Sequence, residues 1–163
     1  MTFPRIVIAA FLGLAFAAPA RAQDVKAGDL TILTPWSRAT PKGAEVASGY
    51  LVIRNDGAAP DTLTGGSADF AGAVEVHEMA MDKGVMKMRQ LTDGLPIPAH
   101  GQVVLKPNGF HLMFTGLKRA LAKGETLKVE LTFAHAGAVA VDFPVRAIGD
   151  AGPADGDMGG MKM

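Results

Sequence analysis

The stretch Val74-Glu75-Val76-His77-Glu78-Met79-Ala80-Met81, closed by Asp82-Lys83-Gly84, decides the fold class. Its side chains change character at every second position, the pattern of a strand with one face against a core. Val74, Val76 and Ala80 form the core face; Glu75, His77, Met79 and Met81 form the other. The Asp-Lys-Gly turn reverses the chain into residues 85–91, which contain Met86-Lys87-Met88. A hairpin is predicted, with its register left open. A two-residue loop at Lys83-Gly84, or a four-residue loop over 82–85, sets Met79 opposite Met88 and Met81 opposite Met86. A three-residue loop sets Met88 opposite Glu78, on the valine side, because one residue of slip exchanges the faces.

Outward from this hairpin the chain repeats the same grammar. Candidate strands cover residues 30–36, 46–55, 61–64, 102–106, 111–114, 127–133 and 139–145, separated by turns rich in Gly, Pro, Asn and Asp. Short strands so punctuated predict an all-β sandwich or barrel. Residues 117–122 are expected to form at most one helical turn.

The first 22 residues read as an export signal rather than as fold. Arg5 is the positive n-region, residues 6–18 are a continuous apolar run, and Ala20-Arg21-Ala22 fits the small-x-small cleavage pattern. The apolar run falls short of the ~20 residues that span a bilayer. Cleavage after Ala22 is expected, leaving a domain over 23–148 and no membrane span. Residues 149–163 are Gly, Asp, Ala and Met without periodicity, and are expected to be a flexible tail carrying Met158, Met161 and Met163.

Loss of Arg5 and Arg21 leaves 14 basic and 16 acidic residues, a net charge of −2. No basic patch points to nucleic acid. The chain has no cysteine, which excludes thiol redox chemistry and a blue-copper centre. No Ser/His/Asp set or carboxylate pair stands in a recognisable catalytic arrangement, and an enzyme is not expected.

Three pairs at i, i+2 spacing carry the chemistry: His77-Glu78-Met79, Met86-Lys87-Met88 and His111-Leu112-Met113. On a strand each pair shares a face. Leu112 and Phe114 take the apolar face of the third strand, leaving His111 and Met113 on the opposite one. A single strand methionine is ordinarily packing. The same division in two separate His-x-Met strands favours ligation. Imidazole and thioether without thiolate are a soft set, suited to Cu(I) above zinc, calcium or magnesium. His100 and His135 lie in turns and are expected to be solvent-exposed; Trp36 is expected to pack.

Val74–Met79 in full, Met86-Lys87-Met88-Arg89 and Pro107-Asn108-Gly109-Phe110-His111-Leu112-Met113 resemble the periplasmic copper chaperones called PCuAC, as do Pro35-Trp36-Ser37-Arg38-Ala39-Thr40 and Gly49-Tyr50-Leu51. The resemblance spans most of residues 28–146. The family pattern is H-x10-M-x21-H-x-M; here ten residues separate His77 from Met88, and twenty-two separate Met88 from His111. The resemblance implies a cupredoxin-like Greek-key β-barrel or sandwich. It implies one Cu(I) per domain, held by His77, Met88, His111 and Met113. It further implies delivery of copper to a copper-accepting protein such as cytochrome c oxidase subunit II, with a Sco-type protein as a possible companion. Storage or resistance uses the same ligands and stays open beside delivery. A β-sandwich interaction module whose His and Met merely pack is the alternative of a different class.

Overall fold

The computed structural model describes residues 23–152. The export signal (1–22) and the tail methionines Met158, Met161 and Met163 lie outside the described residues.

Eleven strands follow in chain order: β1 (Val25–Ala27), β2 (Leu30–Arg38), β3 (Val46–Asn55), β4 (Asp61–Ser67), β5 (Ala73–Asp82), β6 (Val85–Gln90), β7 (Leu95–Ile97), β8 (Gly101–Leu105), β9 (Phe110–Thr115), β10 (Thr126–Phe133) and β11 (Gly137–Arg146). They pair in the order β6-β5-β9-β8-β3-β2-β11-β10-β4-β7, with β1 on β2 and a further β9–β3 pairing. A β4–β5 pairing at Gly66 and Val74 closes the circuit into a barrel. The all-β architecture is as expected.

Alternation builds the core. In β10, Leu127, Val129, Leu131 and Phe133 are buried while Thr126, Lys128, Glu130 and Thr132 are exposed. Phe114 meets Phe70 edge-on at 5.2 Å and Phe143 at 6.2 Å between ring centroids. Each such ring gives about 1.5–3 kcal/mol over its exposed state.

The strand ends depart from expectation in instructive ways. Gly65-Gly66 reads as a terminator, yet β4 runs through it to Ser67. A Cβ on Gly66 would collide with the Glu130 carbonyl oxygen, so the glycine is what lets β10 come alongside. Residues 117–122 form no helical turn. Three of their backbone donors have long-range acceptors instead: Leu117 N–H donates to the Glu45 carbonyl, Lys118 N–H to that of Phe70, and Leu121 N–H to Thr40 Oγ1. The segment beyond Arg146 stays on the barrel through Gly152. Arg38 Nε donates to the Asp150 carbonyl at 2.7 Å, and Gly152 lies against the Trp36 ring.

For the site, the decisive feature is β5. It pairs β9 over Ala73–Glu78 and β6 over His77–Asp82, so the β5–β6 hairpin runs on past the end of β9. Its loop is Lys83-Gly84, both residues with positive φ (50° and 82°), the two-residue turn whose twist suits a hairpin. Asp82 therefore faces Val85, Met81 faces Met86 and Met79 faces Met88.

Candidate metal centre

Register brings the two strand histidines together. His77 is the direct cross-strand partner of His111 on β5 and β9, with ring centroids 5.9 Å apart. Glu75 faces Met113 in the same ladder. On the other edge of β5, His77 faces Gln90, and Met88 lies two residues from Gln90 on the same face. Met88 is thus a diagonal neighbour of His77, about 7–8 Å away between backbones, and Met113 is the diagonal neighbour on the β9 side. The four sequence-predicted residues occupy one face of three adjacent strands. They are not equally sheltered. His111 and Met113 are buried, the His77 side chain is largely covered, and Met88 is exposed.

The two imidazoles are held by different partners. His111 Nδ1 lies 3.0 Å from the Gly109 carbonyl oxygen. A carbonyl only accepts, so Nδ1 carries the proton and Nε2 keeps its lone pair. Burial holds the His111 imidazole below its ordinary pKa; the Gly109 hydrogen bond opposes this and the nearby His77 adds to it. The ring is therefore kept neutral, the form that ligates. His77 Nε2 lies 2.9 Å from Glu75 Oε2. The carboxylate accepts from Nε2, so Nδ1 is the nitrogen of the neutral ring that carries the lone pair. That nitrogen is buried without a hydrogen-bond partner. An imidazole pinned through one nitrogen by a carboxylate or carbonyl, with the other free, is the usual preparation of a metal-ligating histidine.

Gly109 does a second job. Its carbonyl also accepts from Met79 N–H at 3.0 Å, tying β5 to the turn before β9 just beyond the last β5–β9 pair. One backbone oxygen thus fixes both the His111 tautomer and the point where the hairpin leaves the barrel. Sequence reading finds the supporting role of neither Glu75 nor Gly109. The Glu75-x-His77 spacing is a usable signal for Glu75, since both share a face; the Gly109 backbone carbonyl leaves no residue-type signal. A groove lined by Glu78, Met79, Val103, Lys106, Gly109 and Phe110 runs alongside, and neither histidine lines it.

The remaining candidates stay apart. His100 is exposed in its turn. The His135 side chain is 76% exposed, with Nδ1 3.3 Å from Asp61 Oδ1. Trp36 is buried against Tyr50, ring centroids 4.5 Å apart. Among the described residues, no group of three or more His, Asp or Glu side chains is placed to hold a metal ion. What the register places on one face instead is a pair of imidazoles with thioethers, a donor set that suits a soft monovalent ion and not a hard one.

A family model described as "Putative lipoprotein LpqE-like" matches residues 30–145. The chain belongs to the LpqE-like family. "Putative lipoprotein Lxx21020" of Leifsonia xyli subsp. xyli is 28% identical over 142 residues, covering 86% of this chain and 84% of that protein. Among solved structures, the apo PCuAC domain from PmoF1 matches with a TM-score of 0.65 at 27% identity, over 77% of this chain and 99% of that one. The copper-bound PCuAC domain from PmoF2 matches with a TM-score of 0.65 at 25% identity, over 77% and 98%. The solution structure of CuI-DR1885 from Deinococcus radiodurans matches with a TM-score of 0.59 at 26% identity, over 80% and 85%. This LpqE-like chain therefore has the cupredoxin-like fold of PCuAC domains. Within its 163 residues there is no cysteine, so a lipid linked through a cysteine sulfur has no attachment point among them.

Proposed function

We propose that this protein is a periplasmic copper chaperone that binds one Cu(I) through His77, Met88, His111 and Met113 and passes it on by ligand exchange. The observation that carries the reading is the cross-strand histidine pair, with its buried, unpartnered His77 Nδ1, beside thioethers on the same face. Copper in two of the similar structures supports it. So does the export signal read at residues 1–22, and no helix among the described residues is long and apolar enough to cross a membrane.

The chemistry is carriage rather than catalysis. Neutral thioethers and imidazoles favour Cu(I) over Cu(II). Met88 sits exposed on the edge strand β6 while His111 and Met113 are buried. An incoming thioether or imidazole displaces Met88 first and the sheltered ligands last. The copper ion changes partners without changing oxidation state. The acceptor we favour is subunit II of cytochrome c oxidase at its dinuclear copper centre, with a Sco-type protein working alongside; this step rests on the PCuAC resemblance.

The test is anaerobic Cu(I) titration of the chain from Gln23 against a competing chelator, with X-ray absorption of the loaded protein. One tightly held equivalent bound by mixed nitrogen and sulfur scatterers is expected, with His77→Ala or His111→Ala weakening its binding about 100-fold. Oxygen and nitrogen scatterers alone would overturn the reading. Storage uses the same site, and only the transfer rate to an acceptor separates the two.

A further inference from the structure

The four-residue centre leaves three methionines of the hairpin unexplained. Met79 faces Met88 and Met81 faces Met86, so four thioethers form a two-rung ladder on one face of β5 and β6. The opposite face carries the ion pairs Glu78–Arg89 and Asp82–Lys87. Packing does not account for the ladder. Met81, Met86 and Met88 are 65%, 43% and 51% exposed. An edge strand is usually blunted with charge, and here charge is confined to the other face. The property these residues share is a soft, neutral sulfur donor on a flexible stem.

We propose that Met81 and Met86, with Met79 and Met88 behind them, form a second soft-metal site at the hairpin tip, through which Cu(I) enters and leaves the histidine centre. The inference rests on the copper reading above. Directly opposed residues bring their β-carbons to about 4.5–5.5 Å, within reach of one ion for two methionine side chains. The next rung lies two residues along, about 7 Å nearer His77 and His111. Met88 belongs both to that rung and to the four-residue centre. An ion at the tip can therefore advance by exchanging one sulfur at a time: each copper–thioether bond that forms replaces one that breaks. No electron is transferred, and no proton need leave a thioether. Two exposed thioethers without imidazole bind more weakly than the buried centre, which gives the ladder its direction.

The experiment is anaerobic Cu(I) titration of the chain from Gln23 to Met163, labelled with ¹³C at the methionine methyls. Each methyl resonance, those of Met158, Met161 and Met163 included, is assigned by its own Met→Leu variant. The first equivalent is expected to move the Met88 and Met113 methyls, and further Cu(I) those of Met81 and Met86. The double variant Met81→Leu, Met86→Leu is expected to lose the second response and keep first-equivalent affinity and thermal midpoint. Transfer to an acceptor chelator should slow about tenfold. Met81 and Met86 methyls that stay unmoved in excess Cu(I), or a double variant that transfers at the parental rate, would overturn the ladder while leaving the centre intact. Unmoved Met88 and Met113 methyls would instead overturn the copper reading, and the ladder with it.

Discussion

His77 and His111 stand directly opposite each other on β5 and β9 and are pinned through opposite ring nitrogens, His77 by Nε2 to Glu75 and His111 by Nδ1 to the Gly109 carbonyl. The free nitrogens are therefore Nδ1 on one ring and Nε2 on the other.

That asymmetry makes Glu75 a positioning residue. Glu75→Gln exchanges a carboxylate, which can only accept, for an amide that can accept or donate. Cu(I) affinity should fall about 10- to 100-fold, with the thermal midpoint little changed because the Glu75 side chain is part-exposed. Nitrogen NMR of the parental Cu(I) form should show metal on His77 Nδ1. Metal on Nε2 would contradict the assignment.

Register can be tested without changing composition. Exchanging two neighbours, Lys87→Met with Met88→Lys, moves a thioether from the face of Met79 to that of Ala80. Every residue of β6 is exposed, so stability should hold while Cu(I) binding weakens. Unchanged affinity in this variant would remove Met88 from the ligand set.

Asp61 anchors the barrel away from the candidate metal centre. Its carboxylate accepts from the backbone N–H groups of Thr62 (2.7 Å), His135 (2.9 Å) and Ala136 (2.9 Å). Burial pushes its pKa up, but these three donors and the His135 side chain outweigh it and hold the pKa below 3.8. A depressed folded-state pKa stabilises above the unfolded value and is lost as pH falls through the folded one. Asp61→Ala should cost about 1–3 kcal/mol at neutral pH by stranding buried donors. In denaturant titrations the gap between parent and variant should narrow once pH drops below about 4. A gap independent of pH would exclude the ionised carboxylate as the cause.

Two truncations should separate. Ending the chain after Gly152 removes Met158, Met161 and Met163 and should leave Cu(I) affinity unchanged. Ending it after Ala147 also removes the Asp150 carbonyl from Arg38 and Gly152 from Trp36. The longer cut should lower the thermal midpoint by roughly a few degrees, again with affinity retained. Calorimetry and Cu(I) competition read the two effects independently. A large affinity loss in the shorter cut would make a tail methionine a primary ligand.

Much of the fold is legible in the alternation of single strands. The 46–55 strand matches its expected limits, and most others differ at an end by one or two residues. β7 is not among the expected strands: it is three residues long with Pro96 at its centre, and the proline is tolerated because β7 pairs only with β4, at the sheet edge. β1, three residues against β2, is too short to show a period. The site is legible as three ligand pairs and their faces. Of its supports, Glu75 leaves a signal in its spacing from His77, but Gly109 does not, since it acts through its backbone.

Alone, the sequence determined which side chains share a face within each strand, because a strand repeats every two residues whatever surrounds it. It also determined that the donors on those faces are imidazole and thioether without thiolate. The tertiary structure alone decided that β9 lies beside β5, so that His77 meets His111 across more than thirty intervening residues. It decided the Lys83-Gly84 turn that turns Met88 towards the histidines, and which nitrogen of each ring is spare. Facing is a local consequence of backbone geometry. Pairing and register are chosen by the free energy of the whole barrel, in which every strand must bury its apolar side at once.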